Sequence, residues 1–129
     1  AVPLPSKEEI QHMMMKHAGI VRHEEGLVEL KEWLELFQPY CKAIDQLTDI
    51  LQIKEIETIH MLQLCYLITE AALQRKESRG AHFRSDFPVA KESWRQVRIL
   101  HVQQGDSVLG KENEIDEYNH AARDAASFL

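Results

Sequence analysis

Apolar residues recur at helical spacing along most of the chain, and up to about Lys76 they never alternate with polar ones as a half-buried strand requires. After Pro3 and Pro5, Ser6-Lys7-Glu8-Glu9 reads as a capping box. The Ser6 hydroxyl can accept from the Glu9 backbone while the Glu9 side chain reaches back. Ile10, Met13, Met14 and His17 follow on one face until Gly19 interrupts, and the Met13-Met14-Met15 run is expected to fill core. Leu27, Leu30, Leu34 and Phe37 then form a second stripe, with Glu25, Glu29, Lys31 and Glu32 on the wet side. Glu24 and Glu25 complement the dipole at the start of that helix. Pro39 has no backbone donor and restricts Gln38, so it should break or kink the helix, beyond which Ile44, Leu47, Ile50 and Leu51 resume the pattern.

From about Lys54 to Lys76 the residues between Ile56 and Leu73 leave almost no polar face. A helix apolar nearly all round is expected to be packed on more than one side, as the central helix of a bundle. The pattern therefore predicts an all-α fold, an antiparallel three-helix bundle of spectrin-repeat-like type with an irregular C-terminal extension. Residues 1–76 make the bundle, 77–90 an ordered loop, and 91–129 an extension of the same single domain. Val97 to Val102 has enough β-branched content for a short extended segment. Gln103 to Asn113 is the weakest stretch for regular structure, and Glu114 to Phe128 reads as a last helix or a chain end.

Composition narrows the class. With 129 residues, 44% hydrophobic and 28% charged, the chain fits one globular domain. No apolar run approaches the ~18 residues of a membrane span, and the N-terminus lacks the basic and apolar regions of a signal peptide. Ala1 stands where an initiator Met is expected, so the chain reads as an excised piece of something larger. Cys41 and Cys65 form neither a C-x-x-C pair nor a disulfide framework, and read as buried free thiols in a reducing, cytoplasmic setting. The net charge of −6 is unevenly spread: Arg75 to Arg98 holds seven basic residues against three acidic ones, a +4 island on a −10 remainder. Such an island suits an anionic surface, ligand or partner domain. It carries few aromatics and no nucleic-acid-binding signature, so nucleic acid is not the expected partner, and neither is a membrane.

Motifs for chemistry are scarce. Gly105 and Gly110 lack the lysine and the preceding strand of a phosphate loop, and no G-x-S-x-G frames a serine. His12, His17 and His23 stand five and six residues apart, not at the spacing that shares a helix face, so no metal site is expected. The stretch Arg75 to Pro88 stands apart. Gly80 suits a helix-stopping position, Arg79, His82 and Arg84 can converge on one anion or carboxylate, and Glu77 and Asp86 can instead neutralise them from within. On residue chemistry alone, the salt-bridged structural loop is the favoured reading.

Glu77-Ser78-Arg79-Gly80-Ala81-His82-Phe83-Arg84-Ser85-Asp86-Phe87-Pro88 resembles a signature in the C-terminal helical domain of the fumarate reductase, succinate dehydrogenase and L-aspartate oxidase flavoproteins. Met15-Lys16-His17-Ala18-Gly19-Ile20-Val21-Arg22, with Glu24, Glu25 and Leu27 after it, resembles an upstream motif of the same family, although Met15 and Gly19 only approximate its spacing. Within that family the segment Val89 to Trp94 looks most like the L-aspartate oxidases, being less acidic than its respiratory counterparts.

The resemblance implies a parent enzyme that oxidises L-aspartate to iminoaspartate with bound FAD, in the cytoplasmic synthesis of quinolinate and NAD. It also implies that the FAD-binding and capping domains of the same polypeptide carry the dinucleotide motif and the catalytic residues. None of those motifs occurs here, so no catalytic, cofactor-binding or metal residue is assigned, and the chain reads as a domain without activity alone. Arg79, His82, Arg84 and Asp86 are the expected domain-interface residues. The alternatives are the equivalent domain of a succinate dehydrogenase or fumarate reductase flavoprotein, and a free-standing helical adaptor for an acidic partner.

Overall fold

The computed structural model describes residues 2–102, so the expectations for 103–113 and 114–128 lie outside the described residues. The chain divides into two compact units, Ala1–Arg95 and Gln96–Leu129. The first unit is all-α in its regular structure, with α1 (Lys7–Ala18), α2 (Glu24–Glu35), α3 (Gln38–Lys42), α4 (Ile44–Leu47) and α5 (Ile53–Gln74), followed by a 3₁₀ turn at Glu92–Trp94.

The capping box forms as the sequence predicts. The Glu9 N–H donates to Ser6 Oγ at 3.1 Å and the Ser6 N–H to Glu9 Oε2 at 2.8 Å, so two otherwise orphaned donors are satisfied. The break before Pro39 is also present: the Leu36 and Phe37 N–H groups tighten to Trp33 and Leu34 carbonyls three residues back. Pro39 then sits in the first turn of α3, where its missing N–H is not needed.

α5 packs against α2, α1 and α3, and α1 packs against α2. Leu27, Leu30, Leu34 and Ile59 are fully buried between them, with Ile10, Leu62, Phe37, Cys41, Cys65 and Ala72 completing the core. Lys31 Nζ reaches Glu70 Oε1 at 2.5 Å and Lys7 Nζ reaches Glu57 Oε2 at 3.2 Å, tying α2 and α1 to α5. Both cysteines are buried and free, and burial pushes each thiol up.

Three expectations change. α5 is not packed all round: Thr58, Ile59, Leu62, Cys65, Thr69 and Ala72 face the core while Leu64, Leu67 and Ile68 on the other side are exposed. The helix is central as expected, packing on α1, α2 and α3, but its uniform apolarity does not mean that every side is covered. Met13 and Met14 pack on the core, but Met15, one position further round the helix, is 75% exposed. Val97 to Val102 forms no strand, and the described residues contain only isolated β-bridges.

Candidate functional site

The charged stretch folds into a clasp over one end of the helices. α5 stops at Gln74 with Arg75 extended, leaving its last carbonyls to find donors elsewhere. Arg84 supplies them. Its side chain is fully buried, and Nη1 donates to the Ala72 and Leu73 carbonyls at 3.1 and 2.8 Å. Its other edge pairs bidentately with Asp86, Nε to Oδ1 at 3.0 Å and Nη2 to Oδ2 at 2.6 Å, a planar match that only a guanidinium makes. The Arg84 side chain also lies over the Phe87 ring at 4.9 Å, with Lys91 at 4.7 Å from the same ring.

Glu77 is the second fully buried charge. Its carboxylate accepts from Arg75 Nε at 3.0 Å, from Arg79 Nε at 3.0 Å and Nη2 at 3.3 Å, and from the Lys91 N–H at 2.8 Å. The Arg79 guanidinium, with the Lys91 N–H and Arg75 alongside, holds the Glu77 carboxyl at about 2, well below its ordinary value. Ser78 closes the loop: its hydroxyl accepts from the Arg84 N–H at 2.9 Å and donates to the Phe87 carbonyl at 2.7 Å.

His82 joins the two motif segments. Arg22 Nη1 donates to His82 Nδ1 at 3.1 Å, and His82 Nε2 stands 3.0 Å from the Arg75 carbonyl. Arginine can only donate, so Nδ1 is the acceptor and Nε2 carries the hydrogen, which makes His82 a neutral imidazole of one tautomer. Burial lowers its pKa, and nearby Arg22, Arg84 and Arg75 act in the same direction against the pull of the Arg75 carbonyl. The backbones also pair, the Arg22 N–H with the Phe83 carbonyl at 2.9 Å and the Ser85 N–H with the Arg22 carbonyl at 2.8 Å. Asp86 Oδ2 accepts from the Glu24 N–H at 3.1 Å, and His23 Nδ1 from the Gly26 N–H at 3.1 Å, so α2 is capped partly from the clasp.

The four sequence-selected residues thus lie in one network, but Arg79, His82 and Arg84 do not converge on a shared vacant anion position. Arg79 binds Glu77, Arg84 binds Asp86 and α5, and His82 bridges Arg22 to Arg75. Arg79 keeps 37% of its side chain exposed and Asp86 keeps 28%, whereas Arg84 has none. Gly80 does adopt positive φ, at +58°, but in the tight turn between Arg79 and His82 rather than at the end of α5. Sequence reasoning missed Arg22 as the partner of His82, since nothing local signals a contact sixty residues away. Among the described residues, no three His, Cys, Asp or Glu side chains are grouped to hold a metal ion, and no helix is long and apolar enough to cross a membrane.

The family described as the fumarate reductase flavoprotein C-terminal domain matches residues 7–123. The chain is 39% identical over 107 residues to an L-aspartate oxidase of Bacillus subtilis, covering 83% of this chain and 19% of that protein. It is 38% identical over 96 residues to an uncharacterized FAD-dependent oxidoreductase of Methanocaldococcus jannaschii, covering 72% and 17%. It is 26% identical over 115 residues to a component of the CoM/CoB fumarate reductase of Methanothermobacter marburgensis, covering 84% and 21%. The chain therefore spans about a fifth of the length of these relatives.

Proposed function

Since the chain belongs to the fumarate reductase flavoprotein C-terminal family, we propose that it serves as the C-terminal helical domain of an FAD-dependent L-aspartate oxidase. In this reading the whole enzyme converts L-aspartate to iminoaspartate in the cytoplasm, for quinolinate and NAD synthesis. FAD and the reacting groups belong to the flavin-binding and capping domains of the same polypeptide, and the helical domain docks against them without being catalytic itself. The observation that carries the proposal is the closure of the two motif segments on each other through Arg22, Phe83, Ser85 and His82. A pair of motifs whose buried charges, Glu77 and Arg84, are paired within the loop and with the end of α5 supports a structural seam over an active centre.

Arg79, His82, Arg84 and Asp86 form that seam in two tiers. Arg79 keeps an exposed edge that can donate to carbonyls or acids across it and Asp86 one that can accept from N–H groups, while Arg84 fixes Asp86 from beneath and His82 ties the loop to Arg22 and Arg75. In the full-length protein Arg79→Ala should loosen FAD and lower the melting temperature. Unchanged flavin retention and melting would remove Arg79 from the seam.

The likeness to the Methanothermobacter fumarate reductase supports a second reading, the equivalent domain of a fumarate-reducing flavoprotein. The coding frame upstream of Ala1 and an assay of its product separate the possibilities. An in-frame G-x-G-x-x-G after a predicted strand, with flavin reduction by L-aspartate, supports the oxidase. Flavin reoxidation by fumarate with no aspartate turnover supports the reductase, and a start codon at Ala1 supports a free-standing adaptor.

A further inference from the structure

His82 sits among cations that have no charge to spare for it. Burial opposes a proton on its ring first, and then Arg22 from the α1–α2 connection, Arg84 from the loop and Arg75 from the end of α5. The two carboxylates of the clasp are already committed: Glu77 binds Arg75 and Arg79, and Asp86 binds Arg84. Arg22 has no carboxylate partner among the described residues. Its Nε donates to the Ala18 and Gly19 carbonyls at 3.2 and 3.3 Å, and its Nη1 to His82 Nδ1.

The closed arrangement exists only for the neutral ring. With Nε2–H turned to the Arg75 carbonyl, Nδ1 offers one lone pair, and Arg22 fills it. A second proton takes that lone pair, so two donors and two positive charges would face each other at 3.1 Å. The His82 backbone cannot shift to relieve this, because paired hydrogen bonds with Arg79 at 2.8 and 3.0 Å hold it in the Gly80 turn. The relief is for Arg22 to leave. His17 differs, since Glu29 Oε2 stands 3.8 Å from its buried Nε2 and a proton there meets a carboxylate.

We propose that His82 is a proton-operated latch: the neutral ring holds Arg22 and the α1–α2 connection on the loop, and protonation expels Arg22 and opens that junction while the helical core stays folded. The switch acts on the acid side of 6.5, because the folded pKa of His82 lies below that value. Opening can be local. At Arg22 the junction consists of the His82 contact, two backbone hydrogen bonds to Phe83 and Ser85, and the Ser85 hydroxyl at 3.4 Å. The loop remains tied to α5 through Arg84 and to α2 through Asp86, and Leu27, Leu30, Leu34 and Ile59 remain buried between the helices. The latch is a property of this chain, whichever reaction the whole enzyme performs.

The test is histidine NMR and amide hydrogen exchange on the 129-residue chain and on its His82→Gln, Arg22→Gln and His17→Gln variants. Above its titration His82 should show the Nε2–H tautomer. As pH falls through that titration, the protection factors of the Arg22 and Ser85 N–H groups should drop about tenfold, while those of Leu30 and Ile59 hold. His82→Gln, which carries no titrating ring, should keep Ser85 protected throughout. Arg22→Gln, which removes the facing cation, should raise the His82 pKa, and His17→Gln should respond as the parent does. Constant protection of Arg22 and Ser85 across the His82 titration overturns the latch, as does an Nδ1–H tautomer or an unmoved His82 pKa in Arg22→Gln. A response lost in His17→Gln and kept in His82→Gln overturns it in favour of the other histidine. Leu30 and Ile59 losing protection at the same pH would make the event global unfolding.

Discussion

The helical core and the clasp of residues 75–91 are packed against each other yet held together by different physics. In the core, Leu27, Leu30, Leu34 and Ile59 are fully buried among other apolar side chains. Their contribution is non-directional and scales with the area removed from water. In the clasp the fully buried side chains are charged, Glu77 and Arg84, and each survives burial only because its polar atoms are paired. A core position therefore asks for a volume, and a clasp position asks for donors or acceptors at fixed angles.

The largest effect should come from breaking the clasp at Arg84. Arg84→Ala leaves the Ala72 and Leu73 carbonyls and Asp86 without their partner and should cost about 3–5 kcal/mol in urea denaturation. Arg84→Lys should recover little of this, because an ammonium cannot make both the bidentate carboxylate contact and the carbonyl contacts.

The core should behave in the opposite way. Leu30→Ala should cost about 2–5 kcal/mol, but Leu30→Met should cost under about 1.5 kcal/mol. Finding Arg84→Lys as mild as Leu30→Met would erase the contrast between the two regions.

Acid should weaken the fold in stages set by its buried titratable groups, the histidines before Glu77. The folded pKa of His82 is lowered, so it contributes stability above the ordinary histidine value of 6.5 and loses it as pH falls from there toward the folded value. His17, buried on α1 beside Glu29, has the same sign. Glu77 follows at lower pH: its contribution is present above 4.5 and lost as pH falls toward about 2. Stability measured against pH should therefore decline in two stages. Replacing His82 by Gln, which can also accept from Arg22 and donate to the Arg75 carbonyl, should shrink the upper one to the share of His17.

The smallest effect belongs to a local device independent of both regions. Ser6→Ala removes one half of the α1 capping box and should cost about 1 kcal/mol, with no change in either acid stage.

Much of the helical architecture was legible because its signals are local. The capping box at Ser6, the Leu27–Leu30–Leu34 stripe and the break before Pro39 each act within one or two turns, and each appears as read. The clasp was legible as a composition and as a family resemblance, including the internal neutralisation by Glu77 and Asp86, but not as a geometry. Which arginine meets which carboxylate depends on where α5 ends and on how Arg22 returns to the loop. The exposed side of α5 shows the same limit. Leu64, Leu67 and Ile68 are as apolar as the residues facing the core, so periodicity could not tell which side would be covered.

Sequence alone determined that the chain is helical, where its first helices start and stop, and that a charged loop follows the long one. Spacing and capping are properties of neighbouring residues and need no partner. Only the tertiary structure decided that Arg84 would be buried and that His82 would be a neutral acceptor for Arg22. Arg84 is buried where the end of α5 meets the loop, and His82 meets a segment about sixty residues away, a pairing set by the packing of the helices between them.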